Sequence, residues 1–299
     1  MNAIETSGLS KRYRRVWALH DCTLSVPAGQ VVALVGPNGA GKTTLMHLAV
    51  GLNAPTEGSV TVLGGAPAGS AQARRGVAFV AQDAPLYPNL SVGDTLHLTR
   101  DLNVRWDQKR ATARLAELGI PLERKVGKLS GGQQAQLALT LAVARRPELV
   151  ILDEPLARLD PLARHEFMAS LMAAVAEDGL SVLFSSHMVA ELGRVADYLS
   201  VLSGGRLQVA GQVDELVSGH RVLTGPAAEA DLQNERLAPV YAQRAGTQAH
   251  LLVRIDSHSA LPGGWTSSPV SLEELVLAYL REPGATALPG PAALNRMAS

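Results

Sequence analysis

At 299 residues the chain can hold one large domain or two smaller ones and bury a sizeable core. Lys plus Arg and Asp plus Glu both total 27, a formal charge of zero, which disfavours a protein that grips a nucleic-acid duplex. No apolar run approaches the ~18 residues of a membrane span, and Met1-Asn2-Ala3-Ile4-Glu5 carries no apolar signal segment, so a cytoplasmic location is expected.

Residues 4–9 and 18–35 alternate like strands, with a break at Pro27-Ala28-Gly29. Lys11-Arg12-Tyr13-Arg14-Arg15 between them reads as a polar turn. Tyr13 there either presents a ring face to a nucleotide base or caps a sheet edge. The single cysteine, Cys22, has no partner for an internal disulfide. It alternates with Leu24 and Val26, so it is expected to be a small buried side chain.

Val31-Val32-Ala33-Leu34-Val35 is apolar and β-branched, and Leu45 to Val50 reads as helix. Gly36-Pro37-Asn38-Gly39-Ala40-Gly41-Lys42-Thr43-Thr44 lies between them. This is the phosphate-binding pattern G-x-x-x-x-G-K-[ST] in a strand–turn–helix setting. The glycines let several backbone N–H groups converge, and the helix N-terminus adds its positive dipole end. Lys42 reaches the β- and γ-phosphates, Thr43 offers a hydroxyl to Mg²⁺, and Thr44 is a further phosphate contact. The alternative is a glycine turn without a ligand. The match points to nucleotide binding and leaves the use of the nucleotide open.

Short strands follow around Ser59–Leu63 and Gly76–Ala81, the second ending at Gln82. Pro85 and Pro88 stop regular structure there. From Ser91 to about Leu118 the pattern is helical, through Val92, Leu96, Leu98, Leu102, Ala113, Leu115 and Leu118, and suits a helical insertion. Leu129-Ser130-Gly131-Gly132-Gln133 leads into a helix from about Gln133 to Arg145, with Leu137, Leu141 and Ala144 at helical spacing. Its N-terminus is a second anion site or a flexible turn.

Leu149-Val150-Ile151-Leu152 suits a strand buried on both faces of a parallel sheet. It ends in Asp153-Glu154, either beside the phosphate loop, at the carboxyl ends of the strands, or as an N-cap pair. Leu162–Glu177 reads as helix and Val182-Leu183-Phe184 as another buried strand. His187 follows that strand; most of the other seven histidines are expected on the surface. Gly204-Gly205 joins short strands around Tyr198–Leu202 and Arg206–Ala210 as a hairpin.

Together these motifs resemble the ATP-binding cassette of ABC transporters, over about residues 2–215, with the helical subdomain at about 84–145. The Leu-Ser-Gly-Gly-Gln signature is the discriminating element. The resemblance implies an α/β fold: a P-loop NTPase core with an antiparallel β-subdomain and a helical subdomain. It implies ATP and Mg²⁺ as cofactors and ATP hydrolysis as the activity. Tyr13 would stack on adenine, and Gly36, Asn38, Gly39, Ala40, Gly41 and Lys42 would hold the phosphates. Thr43 and Gln82 would ligate Mg²⁺, with Asp153 helping through water. Glu154 would be the general base and His187 would contact the γ-phosphate. Ser130, Gly131, Gly132 and Gln133 would serve the ATP of a second subunit, and Asp160 would join the two sites. One phosphate loop and one signature imply a dimer, with two competent sites if it is a homodimer. Arg158 departs from the family pattern where the two sites communicate, and Gln134 stands where a basic residue is frequent.

The resemblance also implies an integral membrane permease as a partner. Pro85, Leu86, Tyr87 and Leu90 suit a contact patch for it, or packing against the helical insertion. Residues 220–281 read as a small α+β extension, with strands at Val222-Leu223 and Leu251–Val253 and a turn at Pro262-Gly263-Gly264. Ser271-Leu272-Glu273-Glu274 is a capping box opening a helix. This extension resembles that of ATPases serving ABC-2-type exporters of drugs or antibiotics. The alternatives are an importer ATPase and a soluble ABC ATPase acting on the ribosome or DNA. Pro283 to Ser299, rich in Pro, Gly and Ala, is expected to be disordered.

Overall fold

The computed structural model describes residues 1–82, 85–189, 193, 195–254 and 263–282. Pro262 of the expected turn and the expected disordered tail from Pro283 lie outside the described residues. The chain divides into two compact units. One comprises Met1–Ala33 and Lys42–Ser186, the other Leu34–Gly41 and His187–Ser299. Among the described residues no helix is long and apolar enough to cross a membrane.

The first unit holds an antiparallel sheet of β1 (Asn2–Tyr13), β2 (Val16–Pro27), β4 (Glu57–Val62) and β5 (Ala66–Pro67), in the order β2-β1-β4-β5. Alternation makes one face apolar: Ile4, Leu9, Cys22, Leu24 and Val26 are all buried. Thr6 is buried with them because its hydroxyl donates to the Cys22 carbonyl at 2.9 Å. Tyr13 is not in the turn, as its polar neighbours had suggested. It is the last residue of β1, paired with Val16. Arg14, with φ of 54°, and Arg15 alone make the bend, and a two-residue hairpin favours such positive φ.

The second sheet of this unit runs in the order β3-β8-β7-β6. It contains β6 (Val77–Val80), β7 (Leu149–Leu152) and β8 (Ser181–Ser186), paired in parallel, and β3 (Val31–Val35), whose first three residues belong to this unit. Every residue of β3, β7 and β8 is buried, which explains their continuous apolar runs. The helices are α1 (Lys42–Ala49), α2 (Ala71–Gly76), α3 (Val92–Asp101), α4 (Gln108–Glu117), α5 (Gly131–Ala144) and α6 (Pro161–Asp178).

The helical stretch expected from Ser91 to Leu118 is two helices. α3 closes at Leu102, and Asp107 opens α4: its side chain accepts from Arg110 N–H, and its own N–H donates to the Ala144 carbonyl. Leu98, Leu102 and Ala113 face outward; Leu102 is 75% exposed. Val92, Leu96, Ala111, Leu115, Leu137 and Leu141 instead form the core of this insertion.

In the second unit β9 (Tyr198–Ser203) and β10 (Arg206–Gln212) form the expected hairpin, with φ of 55° at Gly204 and 73° at Gly205. After α7 (Val213–Ser218) comes a second antiparallel sheet. It consists of β11 (His220–Pro226), β12 (Tyr241–Ala245), β13 (Gln248–Arg254) and β14 (Thr266–Pro269), in the order β12-β13-β11-β14. α8 (Ala230–Leu237) and α9 (Leu272–Arg281) complete the unit. The capping box at Ser271 forms as expected. The edge strands β12 and β14 had no sequence signature because they are largely exposed and carry no apolar alternation.

Among the described residues His220 departs from the expectation of surface histidines, being fully buried. The Leu216 carbonyl can only accept, so Nδ1 carries the proton of that 2.6 Å bond. Nε2 then accepts from the Tyr279 hydroxyl at 3.0 Å, and Arg254 Nε donates to the same hydroxyl at 2.9 Å. Burial pushes the imidazole below its ordinary 6.5. The folded chain therefore takes up this proton less readily than the unfolded chain. This part of the stability is present above pH 6.5 and is lost as pH falls through the folded value. Tyr279→Phe leaves Nε2 without its donor and is expected to cost about 1–3 kcal/mol. Urea denaturation of the two chains at pH 7.5 measures that loss, and repeating it at lower pH measures the decline.

Candidate functional site

The loop after β3 needs its glycines for two different reasons. A Cβ on Gly36 would come within 2.1 Å of the Leu202 backbone oxygen, so close approach excludes any side chain. Gly39 and Gly41 have φ of 80° and 107°, which side chains rarely adopt. Ala40 N–H donates to Pro37, and Gly205 N–H donates to the Ala40 carbonyl, both at 3.1 Å. Asn38 and Thr43 are exposed, and Thr44 is half-buried. α1 begins at Lys42, so its first N–H groups have no partner within the helix.

Lys42 Nζ lies 3.0 Å from Glu154 Oε1. Both side chains are buried, at 6% and 8% exposure. Glu154 has φ of 47°, a conformation that costs a non-glycine residue about 1–2 kcal/mol. Its backbone N–H donates to Ser185 Oγ at 2.7 Å. The Ser185 hydroxyl donates in turn to Asp153 Oδ1 at 2.8 Å, and Asp153 N–H donates to the Val80 carbonyl. Neither acid caps a helix, which removes the N-cap reading. The cap of α6 is Asp160, whose carboxylate accepts from Leu162 and Ala163 N–H, both at 3.0 Å.

Ser130 caps α5: its Oγ accepts from Gln133 N–H, and the Gln133 side chain accepts from Ser130 N–H. The helix therefore starts at Gly131, two residues before the position expected for it. A Cβ on Gly132 would meet Ala163 Cβ at 2.9 Å, so α5 and α6 need glycine there. Gln82, Gly131, Glu154 and Arg158 line one cleft of about 100 Å³. Tyr13 is 45% exposed; Asn53 Nδ2 donates to its hydroxyl at 3.1 Å, and Lys11 Nζ stands 5.2 Å from its ring centre.

The first unit thus joins Lys42 to Glu154, couples Asp153 to Glu154 through Ser185, and sets Gln82 and Gly131 around one cleft with Glu154. Tyr13 is tied to Asn53, and Asp160 caps its own helix. Gly36–Gly41 and the exposed His187 belong to the second unit. Sequence reasoning missed Ser185. Its signal was a polar residue closing an otherwise apolar strand one step past Phe184, which pairs with Leu152.

A larger cleft of about 540 Å³ lies elsewhere in the first unit. Leu52, Phe79, Leu102 and Val104 line it, with Arg74, Arg75, Arg105 and Arg145. Leu86 packs against the core of the helical insertion, whereas Pro85 and Tyr87 face solvent.

A family model described as ABC transporter matches residues 19–157. The thiamine import ATP-binding protein ThiQ of Salmonella choleraesuis is 35% identical over 202 residues, 66% of this chain and 86% of its own. The Fe(3+) ions import ATP-binding protein FbpC of Mesorhizobium japonicum is 38% identical over 72% of this chain, which spans 62% of that relative's length. The Nod factor export ATP-binding protein I of Rhizobium etli is 34% identical, over 73% and 70% of the two chains. Among solved structures, an ATP-binding subunit of an ABC transporter superposes with a TM-score of 0.64 at 28% identity, over 72% of this chain and 92% of that one. A dimeric bacterial ABC transporter cassette does so with a TM-score of 0.62 at 26% identity, over 70% and 98%. The α/β ABC ATPase fold expected from the motifs is the one observed.

Replacing one partner of a buried ion pair exposes the desolvation cost of the other. Lys42→Met is therefore expected to destabilise the chain by about 3 kcal/mol. Adding Glu154→Gln to it should recover part of that loss. Denaturant unfolding of the two single variants and the double variant, as a cycle, measures the coupling.

Proposed function

The chain belongs to the ABC transporter ATP-binding family, and on that premise we propose that it binds and hydrolyses ATP to power a separate membrane permease. The buried Lys42–Glu154 pair carries this reading. It sets the cation of a phosphate loop against a carboxylate at the end of β7, which suits a group that binds γ-phosphate beside one that takes a proton from water. Lys42 and the N–H groups of Gly39, Ala40 and Gly41 hold the phosphates, with Gly36, Asn38 and Thr44 shaping the loop around them. Tyr13 stacks on the base, and its exposed ring supports that role.

Phosphoryl transfer depends on placement and charge neutralisation more than on covalent help. Glu154 polarises the attacking water, and His187 contacts the γ-phosphate. Mg²⁺, when bound with ATP, neutralises charge on the phosphates. Thr43, Gln82 and Asp153 would hold it, and a hydroxyl, an amide oxygen and a carboxylate are the hard oxygen donors that ion takes. Asp153 keeps a second oxygen beyond the one Ser185 occupies, which fits such a role.

Residues 2–215 form the cassette in this proposal and 220–281 the extension. Two cassettes close over ATP, Ser130, Gly131, Gly132 and Gln133 serving the partner's nucleotide and Asp160 linking the sites. The chain sits at the inner face of the membrane through its permease. The cleft with Leu52, Leu102 and Val104 is the surface offered to that permease, because exposed apolar side chains gather there.

Export through an ABC-2-type permease was the expectation from the short extension. The names of the relatives favour import instead, since the iron and thiamine proteins, and a 38% identical aliphatic sulfonates protein of Shigella flexneri, are import subunits. We therefore read the chain first as an importer ATPase. The Nod factor export protein supports export as the second reading.

Glu154→Gln is expected to keep ATP affinity, to lower turnover by at least about 100-fold, and to run as a dimer on size exclusion with ATP and Mg²⁺. Undiminished hydrolysis removes the general-base role. Co-purification from membranes, followed by uptake and efflux assays with the captured permease, decides direction.

A further inference from the structure

Ser185 is a polar residue near the end of β8, on the strand beside the one that delivers the two acids. It is 1% exposed, and Asp153 is 2% exposed. A hydroxyl has one proton to give. Asp153 Oδ1, a carboxylate oxygen at 2.8 Å, can only accept, so the Ser185 proton points at it. The lone pairs left over receive the Glu154 N–H at 2.7 Å. The rotor is therefore fixed from both sides, and a single atom, Oγ, ties a side-chain oxygen of one acid to the backbone of the next.

Glu154 is the residue that needs such a tether. Its φ of 47° turns the chain out of the strand direction of β7 and directs its carboxylate to Lys42. Left-handed backbone at a non-glycine residue persists only where its surroundings hold it. The bond from Ser185 to the Glu154 N–H is one such hold. The same hydroxyl occupies one oxygen of Asp153, which limits how that carboxylate can rotate and leaves its other oxygen available.

We propose that Ser185 is a positioning residue for phosphoryl transfer: it aims Glu154 and Asp153 together, the first at the attacking water and the second at the metal's coordination shell. This rests on the ATPase reading above. Ser185 touches neither nucleotide nor water in this scheme and acts through the two carboxylates. Partners of metal-coordinating carboxylates typically influence metal affinity as strongly as they influence rate.

Purified full-length chain with Ser185→Ala is compared with wild type and Ser185→Thr. Alanine is expected to lower kcat about 10- to 100-fold with KM for ATP little changed, the pattern of an interaction realised in the transition state. It should also weaken Mn²⁺ binding in the presence of ATP about 10-fold or more, read by electron paramagnetic resonance. Threonine keeps the hydroxyl and is expected to restore both quantities. If alanine prevents folding, judged by thermal melting, Ser185→Cys preserves shape with a much weaker donor and must show the same two losses. Wild-type turnover together with wild-type Mn²⁺ affinity in either folded variant overturns the proposal. If wild type itself turns over no ATP and Glu154→Gln makes no difference, the ATPase reading fails instead.

Discussion

The site depends on two opposite charges that cannot be buried separately. Lys42 and Glu154 are both withdrawn from water, and each offsets the desolvation of the other. That requirement explains features that look unrelated. Lys42 opens α1, and the loop before it turns through glycines at positive φ. β7 must stop at Leu152, so that the next two residues can leave the apolar sheet. Glu154 must adopt a backbone conformation that its residue type resists, and a neighbouring strand must supply a hydroxyl to hold it there.

Polar groups elsewhere follow the same rule of local satisfaction. The signature serine and glutamine cap their own helix, and Asp160 caps the next one. Such caps leave other N–H groups at a helix start to face an anion. Gly132 allows α5 and α6 to approach within a distance that a methyl group would not permit. Within the chain the signature therefore acts as a cap and as a packing surface.

The second unit shows how burial, rather than residue type, decides character. His220 would titrate near neutrality at the surface, but burial under Tyr279 lowers its affinity for a second proton. Trp265 covers Gly225 so closely that a Cβ there would meet the indole at 2.2 Å. Ala249, Leu251 and Val253 of β13 complete the small core beneath it.

The chain's linear order was enough to determine the elements built from neighbouring residues. The apolar run Leu149–Leu152, the Gly204-Gly205 hairpin and the capping box at Ser271 are each marked by residues within a few positions of one another. The exposed edges β12 and β14 were illegible because nothing apolar marks them. Only the tertiary structure decided which charges meet and which hydroxyl orients them. Ser185 and Asp153 are 32 residues apart, and His220 and Tyr279 are 59 apart. Periodicity reports the face on which a side chain lies, but the atom that it bonds to is set by how separate strands and helices pack.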